Sequence, residues 1–143
     1  MVSLQRLHQL SWREWTFFTE AFFLSAYCRF LIHFVPLKKF ATSMGEYGKE
    51  SEPSKLKNSQ ELQTISAAII RISRRVPWRC LCYEQAFIGK LMLNRRKIPA
   101  TIYFGVANSE GNELMAHAWL RCGDTIITGK AGMGKFTTVA WFS

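Results

Sequence analysis

The 143-residue sequence lacks the marks of a zinc-binding or secreted protein. Its four cysteines, at positions 28, 80, 82 and 122, include no pair of CxxC knuckles, so no metal site is predicted. The segment before Trp12 is polar, and no small-residue cleavage site follows the apolar stretch after it, so no signal peptide is predicted. Free thiols in a chain without an export signal indicate a cytoplasmic protein.

Long uncharged apolar runs are also missing from the aromatic-rich residues 12 to 41. Ala21–Cys28, for example, spans eight residues between Glu20 and Arg29. A membrane span needs about 20 apolar residues, so this segment is not expected to cross a bilayer. The capping-box sequence that begins at Ser11 predicts one long helix ending near Val35-Pro36. Its apolar surface is expected to face the core or a partner, or to lie peripherally on a lipid surface.

Acidic residues are scarce, since 10 Asp and Glu oppose 19 Lys and Arg and give a net charge of +9. This balance favours an anionic partner such as nucleic acid, an acidic lipid surface or an acidic peptide. The basic residues are scattered, however, and form no RNA-binding or helix-turn-helix pattern. A nucleic-acid partner is therefore not predicted.

The chain divides into an N-terminal part, 1–58, and a core, 59–143. Residues 43 to 58 are polar and predict a linker. Two helices should follow, one ending at Pro77 and one over 82–96, because apolar residues recur there at helical spacing. After Pro99 the pattern changes to β-formers separated by turns. The sequence thus predicts an α+β fold, in which N-terminal helices precede an antiparallel sheet with strands near 101–107, 114–121, 125–128 and 136–142.

A glycine-rich stretch, Gly129–Gly134, superficially suggests a phosphate-binding loop. It lacks the Walker spacing and the terminal Lys-Ser/Thr, and no predicted helix follows it. We interpret it as a flexible hairpin loop.

Cys82 and His117 are the candidate catalytic pair. A thiolate is the reactive form of cysteine, and a helix N-terminus with a neighbouring imidazolium lowers the thiol pKa. Cys82 stands at the predicted start of the second core helix, and His117 lies in a strand between Ala116 and Ala118, whose small side chains leave room for a ring to approach. Cys80 is a competing nucleophile, since the helix could begin earlier.

Several motifs from Pro77 to about Gly129 resemble the lasso-peptide leader peptidases of the transglutaminase-like superfamily. They comprise Pro77-Trp78, Cys82-Tyr83-Glu84-Gln85-Ala86, the run from Met92 to Pro99, Gly105-Val106 and Ala116-His117-Ala118-Trp119. The resemblance implies a transglutaminase- or papain-like fold with Cys82, not Cys80, as nucleophile. Trp78, Gln85 and Trp119 are candidate substrate-binding residues, and Gln85 is also a candidate oxyanion donor.

The third member of the site departs from the family pattern. The family usually carries an Asp on the strand after the His, whereas this chain reads Ile126-Ile127-Thr128-Gly129. Asp124, in the predicted Gly123-Asp124 turn, is the nearest carboxylate and our candidate for orienting His117. Thr128 or a backbone carbonyl are the alternatives.

The resemblance implies a cysteine peptidase that removes the leader from a ribosomally made lasso-peptide precursor without metal or other cofactor. Its expected partners are the precursor peptide, a separate leader-recognition protein and a lasso cyclase. Two other functions stay open: another Cys/His acyl-transfer enzyme, such as an amidase or acyltransferase, and a basic adaptor without catalytic activity.

Overall fold

A computed structural model describes residues 9–52 and 59–143, except for the side chains at positions 37, 38, 41 and 59. Within these residues four helices precede four strands, which confirms the predicted α+β order. The elements are α1 (Trp12–Phe34), α2 (Leu37–Thr42), α3 (Ser59–Ser73), α4 (Cys82–Arg95), β1 (Thr101–Asn108), β2 (Leu114–Cys122), β3 (Thr125–Thr128) and β4 (Thr137–Phe142).

Both ends of α1 follow from the local sequence. The Ser11 side chain accepts a hydrogen bond from the Glu14 N–H, and the Glu14 carboxylate accepts one from the Ser11 N–H at 2.9 Å, which completes a capping box. The helix ends at Phe34, just before Val35-Pro36, because proline disfavours helical geometry in the residue before it.

The three long helices share one core with the sheet. One side of α1 buries Phe17, Ala21 and Cys28 against α3 and α4, and α4 in turn packs on the sheet. Glu20 of α1 also accepts a hydrogen bond from Arg96 at 2.6 Å, just after the end of α4. The N-terminal helix is thus part of the packed unit. The predicted boundary between 58 and 59 borders residues 53–58, which lie outside the described residues.

The sheet is antiparallel with strand order β3-β2-β1-β4. Because β3 and β4 occupy opposite edges, the segment between them has to cross the width of β2 and β1. Residues 129–136 therefore form a crossover with a 3-10 turn at Met133–Lys135, so the hairpin interpretation was wrong. The prediction failed because the sequence Gly-Lys-Ala-Gly indicates a turn but does not indicate which strands pair on either side of it.

The described part of the predicted linker makes hydrogen bonds to the sheet. Tyr47 forms a β-bridge with Phe142, and the hydroxyls of Ser51 and Thr101 lie 2.8 Å apart. These contacts hold residues 46–51 against β4 and the start of β1.

Candidate active site

Cys82 is the first residue of α4, and the turn before it is held by two hydrogen bonds. The Glu84 carboxylate accepts from the Leu81 N–H at 3.0 Å, and the Gln85 side-chain amide donates to the Cys80 carbonyl at 3.0 Å. The first backbone N–H groups of a helix have no intrahelical acceptors, so the partial positive charge of the helix N-terminus lies beside the Cys82 thiol.

Cys82 differs from the other three cysteines, all of which lie in the described residues. Cys82 is partly exposed, whereas Cys28, Cys80 and Cys122 are buried. Burial raises the pKa of Cys28 to about 12, and it raises the pKa values of Cys80 and Cys122 to about 11 each. The negative charge of Glu84 adds to the effect at Cys80. A raised pKa lowers the fraction of reactive thiolate, so burial disfavours these three cysteines, Cys80 among them, as the nucleophile.

His117 lies in β2 opposite Gly105 of β1. Its ring is 4.9 Å from that of Phe136 and 6.0 Å from that of Trp119, measured between centroids. The ring nitrogen Nε2 is 2.8 Å from the carbonyl oxygen of Gly129. A carbonyl oxygen only accepts, so Nε2 carries the proton and Nδ1 is the basic nitrogen of the neutral ring.

Cys82 and His117 border the same small cavity, of about 140 Å³, between the start of α4 and the sheet. Apolar groups form most of its wall: Tyr83, Phe104, Gly105, Val106, Ala116, Ala118 and Val139. The cavity can hold an apolar side chain next to the thiol, but it offers few groups that could bind a charge.

The imidazole and the thiol are not in hydrogen-bond contact. Ala118 and Leu120 face α4, and side chains alternate along a strand, so His117 points to the other face of the sheet with Trp119. The small neighbours thus clear space on the side of Cys82, while the ring itself packs on the opposite side.

Asp124 lies away from this pair. It is exposed in the turn between β2 and β3, beyond Cys122. Along β2, the five residues from His117 to Cys122 already span about 17 Å, so Asp124 lies at least that far along the strand from the imidazole. The Thr128 hydroxyl is buried without a hydrogen-bond partner. The structure therefore places neither side chain on the imidazole and favours the remaining alternative, a backbone carbonyl, which Gly129 supplies. A carbonyl contact leaves no signature in side-chain chemistry, so the sequence could not identify it.

The three candidate substrate-binding residues have structural contacts. Trp78 packs on Phe22 of α1 with ring centroids 5.8 Å apart, and Trp119 stacks on Tyr103 at 5.6 Å. The amide of Gln85 holds the carbonyl of Cys80, so it shapes the turn that presents Cys82. Within the described ranges no cluster of three or more His, Cys, Asp or Glu side chains could hold a metal ion.

A known family accounts for most of the chain. Residues 31–140 match the profile of the Transglutaminase-like superfamily, and the chain belongs to that family. The superfamily includes cysteine proteases and acyltransferases. Neither the curated proteins nor the solved structures gave a significant match. In the described parts of the chain, no helix has the length and hydropathy that a membrane span requires.

Proposed function

We propose that this protein is a cysteine peptidase that cleaves the leader from a lasso-peptide precursor. The observation that carries the proposal is the position of Cys82: it is the one partly exposed thiol, it begins a buried helix, and it opens on a cavity against the β2 segment that carries His117. This arrangement occurs in a member of a superfamily that includes cysteine proteases.

In the first step Sγ of Cys82 attacks the carbonyl carbon between leader and core. The negative charge that forms on the carbonyl oxygen is stabilised by backbone N–H groups at the start of α4, including that of Cys82. Gln85 stabilises the turn rather than the oxyanion, because its side-chain amide is bonded to Cys80.

His117 moves the protons. Nδ1 takes the thiol proton, and the imidazolium passes it to the amine as the C–N bond breaks, which leaves an acyl-enzyme thioester. The same nitrogen then takes a proton from the water that hydrolyses the thioester. The carbonyl of Gly129 keeps the ring in the tautomer that this sequence of steps needs. In this structure the ring packs on the face of β2 away from α4, so these proton transfers require the ring to move to the side of Cys82.

The substrate and partners rest on the motifs between Pro77 and Gly129, which resemble the leader peptidases. We propose the precursor peptide as substrate, a separate leader-recognition protein as its carrier, and a lasso cyclase as the enzyme that takes the released core. The apolar wall of the cavity suits an uncharged residue beside the scissile bond.

The test compares Cys82→Ala, Cys80→Ala and His117→Ala on a leader–core peptide, with the leader-recognition protein present. We expect the Cys82 and His117 variants to lose cleavage to similar extents, because the two groups act as a unit. Cys80→Ala is the matched control and should cleave like the wild type. Cleavage by Cys82→Ala at the wild-type rate would contradict the proposal. A Cys82-dependent reaction only with amides or acyl donors outside the precursor would assign the site to an amidase or acyltransferase.

A further inference from the structure

The outward side of α1 carries a stripe of large apolar side chains that two threonines interrupt. Its members follow helical spacing along the full helix, and all are exposed: Trp12, Thr16, Thr19, Phe23, Tyr27, Phe30 and Phe34. We call this set the outer stripe. Trp12 is 85% exposed, and Phe23 and Phe34 are exposed to about two thirds. The core side of the same helix is occupied by Phe17, Ala21 and Cys28, so the outer stripe is additional to the core.

An exposed apolar surface of this kind marks a binding site. We propose that the outer stripe docks the protein on an anionic lipid surface, with α1 lying in the plane of the interface. This goes beyond peptidase activity, because none of the stripe residues borders the cavity at Cys82.

The charges around the stripe favour anionic lipid. Arg95 lines an open groove together with Trp12, Phe23 and Tyr27, and its side chain is 67% exposed. Arg13 is exposed on the flank of the stripe. The acid in the groove, Glu20, is paired with both Arg95 and Arg96, so its charge is compensated. Arg95 and Arg96 are balanced by Glu20 and Glu61, so the attraction for phosphate headgroups comes from Arg13 and from the net charge of +9 of the whole chain.

The dimensions and chemistry of the stripe argue against a second copy of the chain. A 23-residue helix is about 35 Å long and about 10 Å wide, which gives a face of roughly 350 Å². A stable protein interface needs about 800 Å² from each partner. For an interfacial helix, electrostatic attraction to anionic lipid adds to the apolar area that is buried, so a smaller face suffices for binding.

The experiment is vesicle flotation with the full chain. We expect the wild type to float with vesicles that contain phosphatidylglycerol, to float less with phosphatidylcholine alone, and to be released by raised salt. The double variant Phe23→Gln/Phe34→Gln should partition on the order of 100-fold less. Leu114→Gln is the matched control, since Leu114 is 73% exposed but lies in β2, and it should float like the wild type. Cys82→Ala should also float normally, which separates this test from the test of peptidase function.

Several outcomes would overturn the proposal. A wild type that stays with the soluble fraction refutes it directly, as does a double variant that floats normally. A concentration-dependent dimer that the double variant abolishes would assign the stripe to self-association. Loss of binding to the leader-recognition protein in the double variant, with flotation unchanged, would assign it to that protein.

Discussion

Replacing Gly129 with alanine should damage both the fold and the site, because the backbone there leaves no room for a side chain. Gly129 has φ +76°, and an added Cβ would lie 2.3 Å from the carbonyl oxygen of Ala118. A left-handed conformation costs a non-glycine residue about 1–2 kcal/mol. The overlap with Ala118 is a contact with backbone, so the crossover would have to move, and the carbonyl that holds His117 would move with it.

Gly132→Ala is the matched control for this change. Gly132 lies in the same crossover with φ +75°, but an added Cβ there would have no atom within 4 Å. Both variants therefore carry the same left-handed strain, and only Gly129→Ala adds the overlap and the displaced carbonyl. We expect Gly129→Ala to be less stable than Gly132→Ala by at least about 1 kcal/mol, the net value of a hydrogen bond to the imidazole.

Two measurements check this reasoning. Denaturant unfolding gives the difference in stability, provided that both variants have the same m-value. Cleavage of a leader–core peptide, at a temperature where both variants are folded, gives the effect on the site. Gly129→Ala should cleave roughly 100-fold more slowly than Gly132→Ala, because a displacement of about 1 Å has consequences of that size. Equal stabilities and equal rates would refute the role assigned to the Gly129 carbonyl.

Two further outcomes follow from the same geometry. Iodoacetamide at pH 8 should modify Cys82 well before Cys28, Cys80 or Cys122, because burial raises the pKa values of those three to about 11 or 12. Peptide mass spectrometry after a short exposure checks this, and comparable labelling of Cys80 would show that its surroundings are more open than the structure indicates. Asp124→Asn should keep nearly the full cleavage rate, since this carboxylate lies in an exposed turn about 17 Å along the sheet from the imidazole. A rate as low as that of Cys82→Ala, with the fold intact by circular dichroism, would place Asp124 in the active site.

The sequence by itself determined the elements that position the candidate site. Ser11 and Glu14 set the start of α1, and Pro36 its end, because capping and the steric effect of proline act within a few residues. The sequence also predicted the start of α4 at Cys82 and the strands and turns after Pro99, since these depend on local spacing.

Only the tertiary structure decided which groups meet. The strand order moves β3 and β4 to opposite edges, so Gly129–Phe136 becomes a crossover that passes His117. Strand alternation then turns the ring of His117 toward Trp119 and away from α4, and it leaves Asp124 at the far end of β2. Local patterns specify dihedral angles and faces, but strand order depends on which long-range pairing buries the most apolar surface. A backbone carbonyl that contacts the imidazole is visible only after that pairing exists.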